Sequence, residues 1–342
     1  MNQFRHITIS GEPVERGKQH GKQLSVEISR TIDFYRSIFA LPESEILHRA
    51  ELFRDIIERF NPTYIEEIDG IAQGAGVDPL WIIALNARTE ILSHCAGVSN
   101  ECTSVYYSGS AILGQNWDWG KALESLSVLM KIVQTDGHII FMLTEPGIIG
   151  KIGMNSSGLG VCLNILTLGR LLDGLPVHIF LRAILDCHSL AQVDSLLASH
   201  GGGKASNIMV ADAGGDGFNI EFCGENSYRL VAESDYLLHT NHYLDRPINS
   251  EKDPSFSSSY ARLNKATQIL SENKERSVAG MRALLSDDSD RSWPIYREYI
   301  PDDSVHELGT ICTIVMELAQ QKMHVRKGKG PDAKFFEYHL DG

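Results

Sequence analysis

Residues 99–120 read SNECTSVYYSGSAILGQNWDWG, and this stretch divides the chain into two parts of different character. Cys102 stands between an acidic residue and two hydroxyl residues, just before a run whose β-branched and aromatic residues predict a strand. Two interpretations of Cys102 are open from this stretch alone. It is a buried filler of the core, or it is the nucleophile around which the protein's chemistry is built.

The sequence before this stretch predicts helices. Between Pro13 and about Leu92, apolar residues recur at spacings of three and four, as in residues 45–60, EILHRAELFRDIIERF. Asp78 followed by Pro79 is a typical helix start. We therefore expect a helical segment that ends near residue 100.

The sequence after Cys102 predicts strands, because short β-rich runs are broken by Gly and Asn, which is typical of antiparallel hairpins. Helical patterns return at residues 177–200 and 259–273, between sets of strands. The second part is therefore mixed α and β, and the whole chain is predicted to be one α+β unit.

Composition excludes several kinds of partner. The chain has 342 residues, 43% of them apolar, so it can bury a large core. Its formal net charge of -13 gives no electrostatic basis for binding nucleic acid or an anionic membrane surface. Neither a secretory signal nor a membrane-spanning run is predicted, and we expect a cytoplasmic protein.

Cysteine and histidine spacing does not predict a metal site. The cysteines form no CxxC pair, which disfavours a zinc ribbon and a disulfide framework. Cys162 and Cys312 lie in strand-like apolar runs and are expected to be inert core residues. His239 and His242 in the HTNH motif suggest no third ligand by their spacing. The six cysteines are Cys95, Cys102, Cys162, Cys187, Cys223 and Cys312.

Three motifs carry a resemblance to a known family. ECTS at residues 101–104, GQNWD at residues 114–118 and HTNH at residues 239–242 resemble the penicillin acyltransferase family of cysteine N-terminal nucleophile hydrolases. The chain is more distantly similar to bile salt hydrolases. The resemblance covers most of the chain, including LNARTE at residues 85–90 and TICTIVME at residues 310–317. It implies a four-layer αββα sandwich of two antiparallel sheets, preceded by a helical segment.

The resemblance also implies self-cleavage. Members of that family are precursors that cut themselves before the cysteine, which here places the break between Glu101 and Cys102. The products, residues 1–101 and 102–342, are expected to stay associated. Cleavage exposes an α-amino group, with an ordinary pKa of ~7.7 to 8.0, on the residue that carries the thiol. The family often has a small residue before its cysteine, and Glu101 departs from that pattern, which bears on the rate of cleavage.

Catalytic roles are implied for three residues. Cys102 matches the nucleophile, and Asp118 matches the acidic residue that holds the new amino terminus over the thiol. Asn241 matches the amide that donates to the negative charge developing on the acyl oxygen. The alternative for Asp118 is a residue that caps a turn.

Three more residues are candidates for oxyanion or substrate binding. Asn164 lies where bile salt hydrolases have a second amide, or it is a turn residue at the end of a strand. Arg262 resembles an arginine near the active site of those hydrolases, or it lies on a helix surface. Gln115 replaces their arginine three residues before the Asp, which argues against a bile acid substrate.

These assignments predict an enzyme that cleaves or transfers the acyl group of a small N-acyl amide through a Cys102 thioester. The alternative is a noncatalytic relative that keeps the fold as a binding protein. Hydrolysis and transfer to an amine are both open. No cofactor or metal is predicted, and acyl-coenzyme A enters only as the substrate of a transferase. The expected partners are the small amide and the protein's own two chains.

Overall fold

The computed structural model describes residues 2–92, 101–168, 172–244, 257–330 and 332–340. Its helices are α1 Pro13–Gln23, α2 Ser25–Ile38, α3 Glu43–Phe60, α4 Pro62–Ala75, α5 Pro79–Asn86, α6 Arg88–Leu92, α7 Ala122–Leu126, α8 Val177–Asp186, α9 Leu190–His200, α10 Ser257–Glu272 and α11 Val278–Leu284. Its strands are β1 Arg5–Ser10, β2 Glu101–Tyr107, β3 Ile112–Gly120, β4 Val128–Val133, β5 Ile139–Thr144, β6 Ile152–Asn155, β7 Gly160–Ile165, β8 Lys204–Ala211, β9 Gly217–Gly224, β10 Asn226–Val231, β11 Tyr236–His239, β12 Ile300–Asp302, β13 His306–Glu317, β14 Lys322–Lys327 and β15 Phe335–His339.

Local sequence signals set several of these boundaries. Helix α5 begins at Pro79, and the Asp78 carboxylate accepts a hydrogen bond from the Leu80 amide at 2.9 Å, which confirms the predicted helix start. Asn61 caps α4 in the same way, with Thr63 as the donor. These caps satisfy backbone N–H groups that a helix leaves unpaired at its first turn.

The strands form two sheets. The first has the order β1-β4-β5-β6-β7-β8-β9-β10, and the second has the order β11-β2-β3-β13-β14-β15 with β12 against β13. The recorded pairings are antiparallel, as expected, except that β1 runs parallel to β4. Strand β1 precedes the helices, so residues 1–101 are not entirely helical.

Four layers result, which confirms the predicted αββα sandwich. Strand β7 packs against β2 and β3, so the two sheets lie face to face. Helix α8 lies on β6 and β7 at the outer face of the first sheet, together with the amino-terminal helices. Helices α10 and α11 cover the outer face of the second sheet over β2, β11 and β13. Cys162 and Cys312 are buried core residues, as expected, whereas Cys95 lies outside the described residues.

The sheet register fixes the direction of the Cys102 side chain. Cys102 pairs with Trp117 across β2 and β3, so these two side chains lie on the same face of the second sheet. Ser104, two residues further along β2, hydrogen-bonds Asn164 on β7 at 2.9 Å. Side chains two positions apart in a strand share a face, so Cys102 also points toward the first sheet.

Candidate active site

Cys102 is almost completely buried, with an exposed fraction of 5%. Its backbone N–H donates to the side-chain oxygen of Asn241 at 2.7 Å. Its carbonyl oxygen accepts a hydrogen bond from Arg262 Nη1 at 2.6 Å. Two side chains distant in sequence therefore hold the peptide groups on either side of the Cys102 Cα.

Asn241 is fixed by further hydrogen bonds. Arg262 Nη2 donates to Asn241 Oδ1 at 3.0 Å, and Asn241 Nδ2 donates to the Ile165 carbonyl at 3.1 Å. We expected Asp118 near the Cys102 nitrogen and Asn241 on the sulfur side, and the structure instead places the Asn241 oxygen on that nitrogen. A peptide nitrogen is a donor only, so Asn241 presents its oxygen rather than its NH₂ group to this nitrogen.

The histidines of the HTNH motif support the segment that carries Asn241. The Asn241 amide donates to Ser259 Oγ at 2.7 Å, and this hydroxyl is 2.7 Å from His242 Nδ1. His239 Nε2 is 2.7 Å from the Glu221 carboxylate, and both side chains are buried. Burial lowers the pKa of His242 to about 4, so its ring is neutral near pH 7. Across the described ranges, no three His, Cys, Asp or Glu side chains are grouped to hold a metal ion.

The three residues predicted to bind the oxyanion or the substrate are all buried near Cys102. Arg262 is fully buried, so the interpretation as a helix-surface arginine is wrong. Gln115 bonds both polar groups of Leu163, donating to its carbonyl at 2.5 Å and accepting from its amide at 2.9 Å. Asn164 lies in the β7 ladder rather than in a turn, and its oxygen accepts from Asn207 at 3.1 Å. Gln115 and Asn164 thus connect the two sheets near Cys102.

A small cavity lies beside the Cys102 side chain. Its volume of about 20 Å³ leaves room for one water molecule. Cys102 and Asp118 both line this cavity. The hairpin of β2 and β3 brings them together, because these two strands are adjacent and antiparallel. The lining residues are Arg88, Cys102, Trp117, Asp118, Trp119, Lys151, Ile152, Leu163 and Ile165.

The surroundings of the thiol keep it protonated. Burial, and after it the nearby Asp118 carboxylate, raise the pKa of Cys102 to about 11. The backbone N–H of Asp118, the Arg262 guanidinium and the Gln115 side chain act in the opposite direction on this pKa. At neutral pH the thiol of the intact chain therefore needs a base before it can act as a nucleophile.

Residues 106–331 match the family described as acyl-coenzyme A:6-aminopenicillanic acid acyl-transferase. The 40 kDa form of the acyl-coenzyme A:6-aminopenicillanic-acid-acyltransferase of Emericella nidulans is 31% identical over 342 residues, which cover 96% of this chain and 95% of that protein. The chain belongs to this acyltransferase family.

Solved structures of several hydrolases are also similar. An N-acylethanolamine-hydrolyzing acid amidase ortholog of Caenorhabditis elegans is 22% identical, with a TM-score of 0.47 over 64% of this chain and 93% of the other. A penicillin V acylase from Agrobacterium tumefaciens is 12% identical, with a TM-score of 0.48 over 69% and 86%. A mutant conjugated bile acid hydrolase from Clostridium perfringens is 11% identical, with a TM-score of 0.49 over 71% and 94%.

Sequence reasoning missed a buried ionic cluster in this acyltransferase family member. Glu145 is fully buried and accepts hydrogen bonds from Arg88 Nη2 at 2.9 Å, from the Tyr35 hydroxyl and from the Lys151 ammonium. The Lys151 ammonium also lies 3.6 Å from the centre of the Trp117 ring. One signal was available, since Lys151 is the single charged residue in the apolar run GIIGKIGM at residues 147–154.

Proposed function

We propose that this protein is a self-processing enzyme that uses Cys102 to transfer or hydrolyse the acyl group of a small N-acyl amide. Membership of the acyltransferase family supports acyl transfer or amide hydrolysis as the reaction class. The observation that carries the assignment to Cys102 is its place in the fold. It lies at the start of β2, its nitrogen is held by Asn241, and its side chain borders a cavity with Asp118.

The first reaction occurs within the intact chain. The Cys102 sulfur attacks the carbonyl carbon of Glu101, the peptide bond to the Cys102 nitrogen breaks, and a thioester forms. Water then hydrolyses the thioester and leaves a carboxylate on Glu101. Cys102 becomes the first residue of the second chain, with a free thiol and a free α-amino group.

The second reaction is turnover. The new α-amino group has an ordinary pKa of ~7.7 to 8.0, so it can take the thiol proton near neutral pH. Cleavage frees the Cys102 nitrogen from its peptide bond, so this nitrogen can move off the Asn241 oxygen that it contacts in the intact chain. The Asn241 NH₂ is then available for the acyl oxygen, where such a contact is worth ~3 to 4 kcal/mol. Asp118, in the same cavity wall, holds the amino group in place.

Intact mass measurement tests processing directly. We expect two chains, residues 1–101 and 102–342, of roughly 11 and 27 kDa in proportion to the 37.9 kDa of the whole. Cys102→Ala should remain a single chain. An active wild-type protein that stays uncut contradicts the self-processing mechanism.

A substrate screen tests the reaction class. N-acyl amino acids, acyl-dipeptide-like amines and β-lactam amides are offered alone and together with acyl-coenzyme A, and Cys102→Ala serves as the blank. Release of the acyl acid indicates hydrolysis, and a new amide indicates transfer. Turnover that persists in Cys102→Ala after correction for contaminating activity would show that another residue is the nucleophile. A cut protein that turns over none of these amides would favour the noncatalytic alternative.

A further inference from the structure

Lys151 is a charged residue buried between the two sheets. Its side chain is 2% exposed and borders the cavity that Cys102 also borders. Its ammonium lies 3.6 Å from the centre of the Trp117 ring, and Trp117 is the cross-strand partner of Cys102. Directly opposed side chains in an antiparallel pair share a face. The Lys151 nitrogen and the Cys102 thiol therefore lie on the same side of the second sheet, in the wall of one cavity.

The ion pair with Glu145 does not by itself explain a lysine at this position. Glu145 already receives Arg88 Nη2 at 2.9 Å and the Tyr35 hydroxyl, both buried. Burial outweighs Glu145 and lowers the pKa of Lys151 to about 8, with Arg88 acting in the same direction as burial. A neutral amine is consequently accessible near neutral pH, as the task of a proton acceptor requires.

Self-cleavage needs such a proton acceptor. In the intact chain the Cys102 nitrogen is a peptide N–H that donates to Asn241, so the α-amino group that would serve turnover does not yet exist. Burial holds the pKa of the thiol at about 11. Arg262 faces the thiol as a permanent cation, and an amine is intrinsically a much stronger base than a carboxylate. The amine of Lys151 is the stronger base in the cavity wall.

We propose that Lys151 is the general base of self-cleavage and takes the Cys102 thiol proton in the intact chain, directly or through one water in the shared cavity. This inference rests on the proposed function. The neutral Nζ accepts the proton, and the sulfur forms a bond to the Glu101 carbonyl carbon. As the bond from that carbon to the Cys102 nitrogen breaks, the Lys151 ammonium returns the proton to the nitrogen. Water hydrolyses the thioester, and Lys151 is neutral again.

The test follows the self-cleavage of full-length chain after a short pulse of cell-free synthesis, by gel and intact mass, between pH 6 and pH 10. The wild-type rate should rise about tenfold per pH unit up to about pH 8, where Lys151 is half neutral, and then level off. Among the described residues, the titratable and charged groups facing Lys151 include Glu145, Arg88, His178, Cys102 and Cys312. Those facing Cys102 include Asp118, Arg262, Cys162 and Cys312.

Two variants of Lys151 distinguish a role as proton acceptor from a role as a fixed positive charge. Lys151→Arg keeps a cation beside Glu145 but cannot lose its proton near pH 8, and Lys151→Gln removes the charge. Both should cleave about 100-fold or more slowly at pH 7.5, without a plateau above pH 8. Lys204→Arg is the matched control, because Lys204 is also buried and its pKa is also lowered to about 8 by burial, yet it hydrogen-bonds the His200 and Gly202 carbonyls instead. It should keep the wild-type profile.

The wild-type profile needs no variant to fold, so it can overturn the role of Lys151 by itself even if the Lys151 variants are unstable. A rate that keeps rising through pH 10, or Lys151→Arg cleaving within a few-fold of wild type, overturns the role of Lys151 and leaves the proposed function standing. A wild-type chain that never cleaves overturns the proposed self-processing as well.

Discussion

Both polar groups of the Asn241 side chain are hydrogen-bonded in the intact chain. Its oxygen accepts from the Cys102 amide and from Arg262, and its NH₂ donates to the Ile165 carbonyl. If the NH₂ turns to the acyl oxygen in the transition state, Asn241→Ala should lower kcat and kcat/KM together by ~10²- to 10³-fold and leave KM little changed. Steady-state kinetics on the processed protein, with acyl release as the readout, measures this.

Asn155→Ala is a suitable control, because Asn155 is a buried asparagine that donates to the Leu185 and Cys187 carbonyls rather than contacting Cys102. It should cost stability and leave the catalytic constants of the folded fraction near those of wild type. If Asn241→Ala behaves in the same manner, Asn241 is a structural residue and the oxyanion role assigned to it is wrong.

At the scale of the residue, the sequence could predict candidates but not their orientation. Cys102, Asp118 and Asn241 stand in recognisable motifs, whereas the hydrogen bond of Asn241 to Cys102 depends on whether the Cys102 nitrogen is a peptide or an amine. Lys151 and Arg88 could not be assigned from local patterns. They reach the cavity only because α6 and the connection before β6 pack together around Glu145.

At the scale of the element, local periodicity predicted most helices and strands but missed β1. This strand has six residues and its partner β4 begins more than a hundred residues later. Ile7 and Ile9 are buried against the sheet, and their alternation with exposed residues is too short to distinguish from a loop in one sequence. Pairing between strands so far apart in the sequence is determined by tertiary packing rather than by the strand propensity of the residues.

Glycines allow helices α1 and α4 to pack closely against each other. A Cβ added at Gly21 would lie 2.1 Å from the Ile71 carbonyl oxygen, and one added at Gly70 would lie 2.5 Å from the Val14 carbonyl oxygen. These contacts are with backbone, so the neighbour cannot move aside as a flexible side chain would. Gly21→Ala should therefore lower the free energy of unfolding by about 1–3 kcal/mol, or more, through overpacking.

Urea denaturation in a Cys102→Ala background measures this effect on an uncut chain. Gly330→Ala provides the comparison, because a Cβ there meets nothing within 4 Å, and it should change stability little. Equal stabilities for the two variants would mean that α1 and α4 separate at low cost, contrary to the packing described.

At the scale of the whole molecule, buried ionic and polar contacts join the amino-terminal helices to the sandwich. Glu67 on α4 binds Arg16 on α1 at 2.9 Å and Arg182 on α8 at 2.9 Å. His20 on α1 accepts a hydrogen bond from the Gly147 amide, in the connection between β5 and β6. The contacts of Glu67 with Arg182 and of His20 with Gly147 cross the proposed cleavage site, and together with the shared core they would hold the two chains together after cleavage.

These buried contacts also make the stability of the molecule depend on pH. Burial lowers the pKa of His20 to about 4, against an opposing effect of Glu67, and burial likewise lowers the pKa of His178 and His242. In the unfolded chain a histidine has a pKa of ~6.5. Protons therefore bind the unfolded state more readily, so stability is greatest above pH 6.5 and falls as the pH drops toward 4.

Equilibrium unfolding of Cys102→Ala at pH values from 7.5 to 4 should show this loss, with on the order of 3 kcal/mol attributable to His20 from the difference between its folded and unfolded pKa values. His20→Gln keeps an acceptor for the Gly147 amide but does not titrate, so its stability should fall less steeply between pH 6.5 and pH 4. His48→Gln, on the exposed surface of α3, should follow the parent curve. A parent curve that is flat over this interval, or equal slopes for His20→Gln and the parent, would show that burial does not hold His20 neutral in the folded protein.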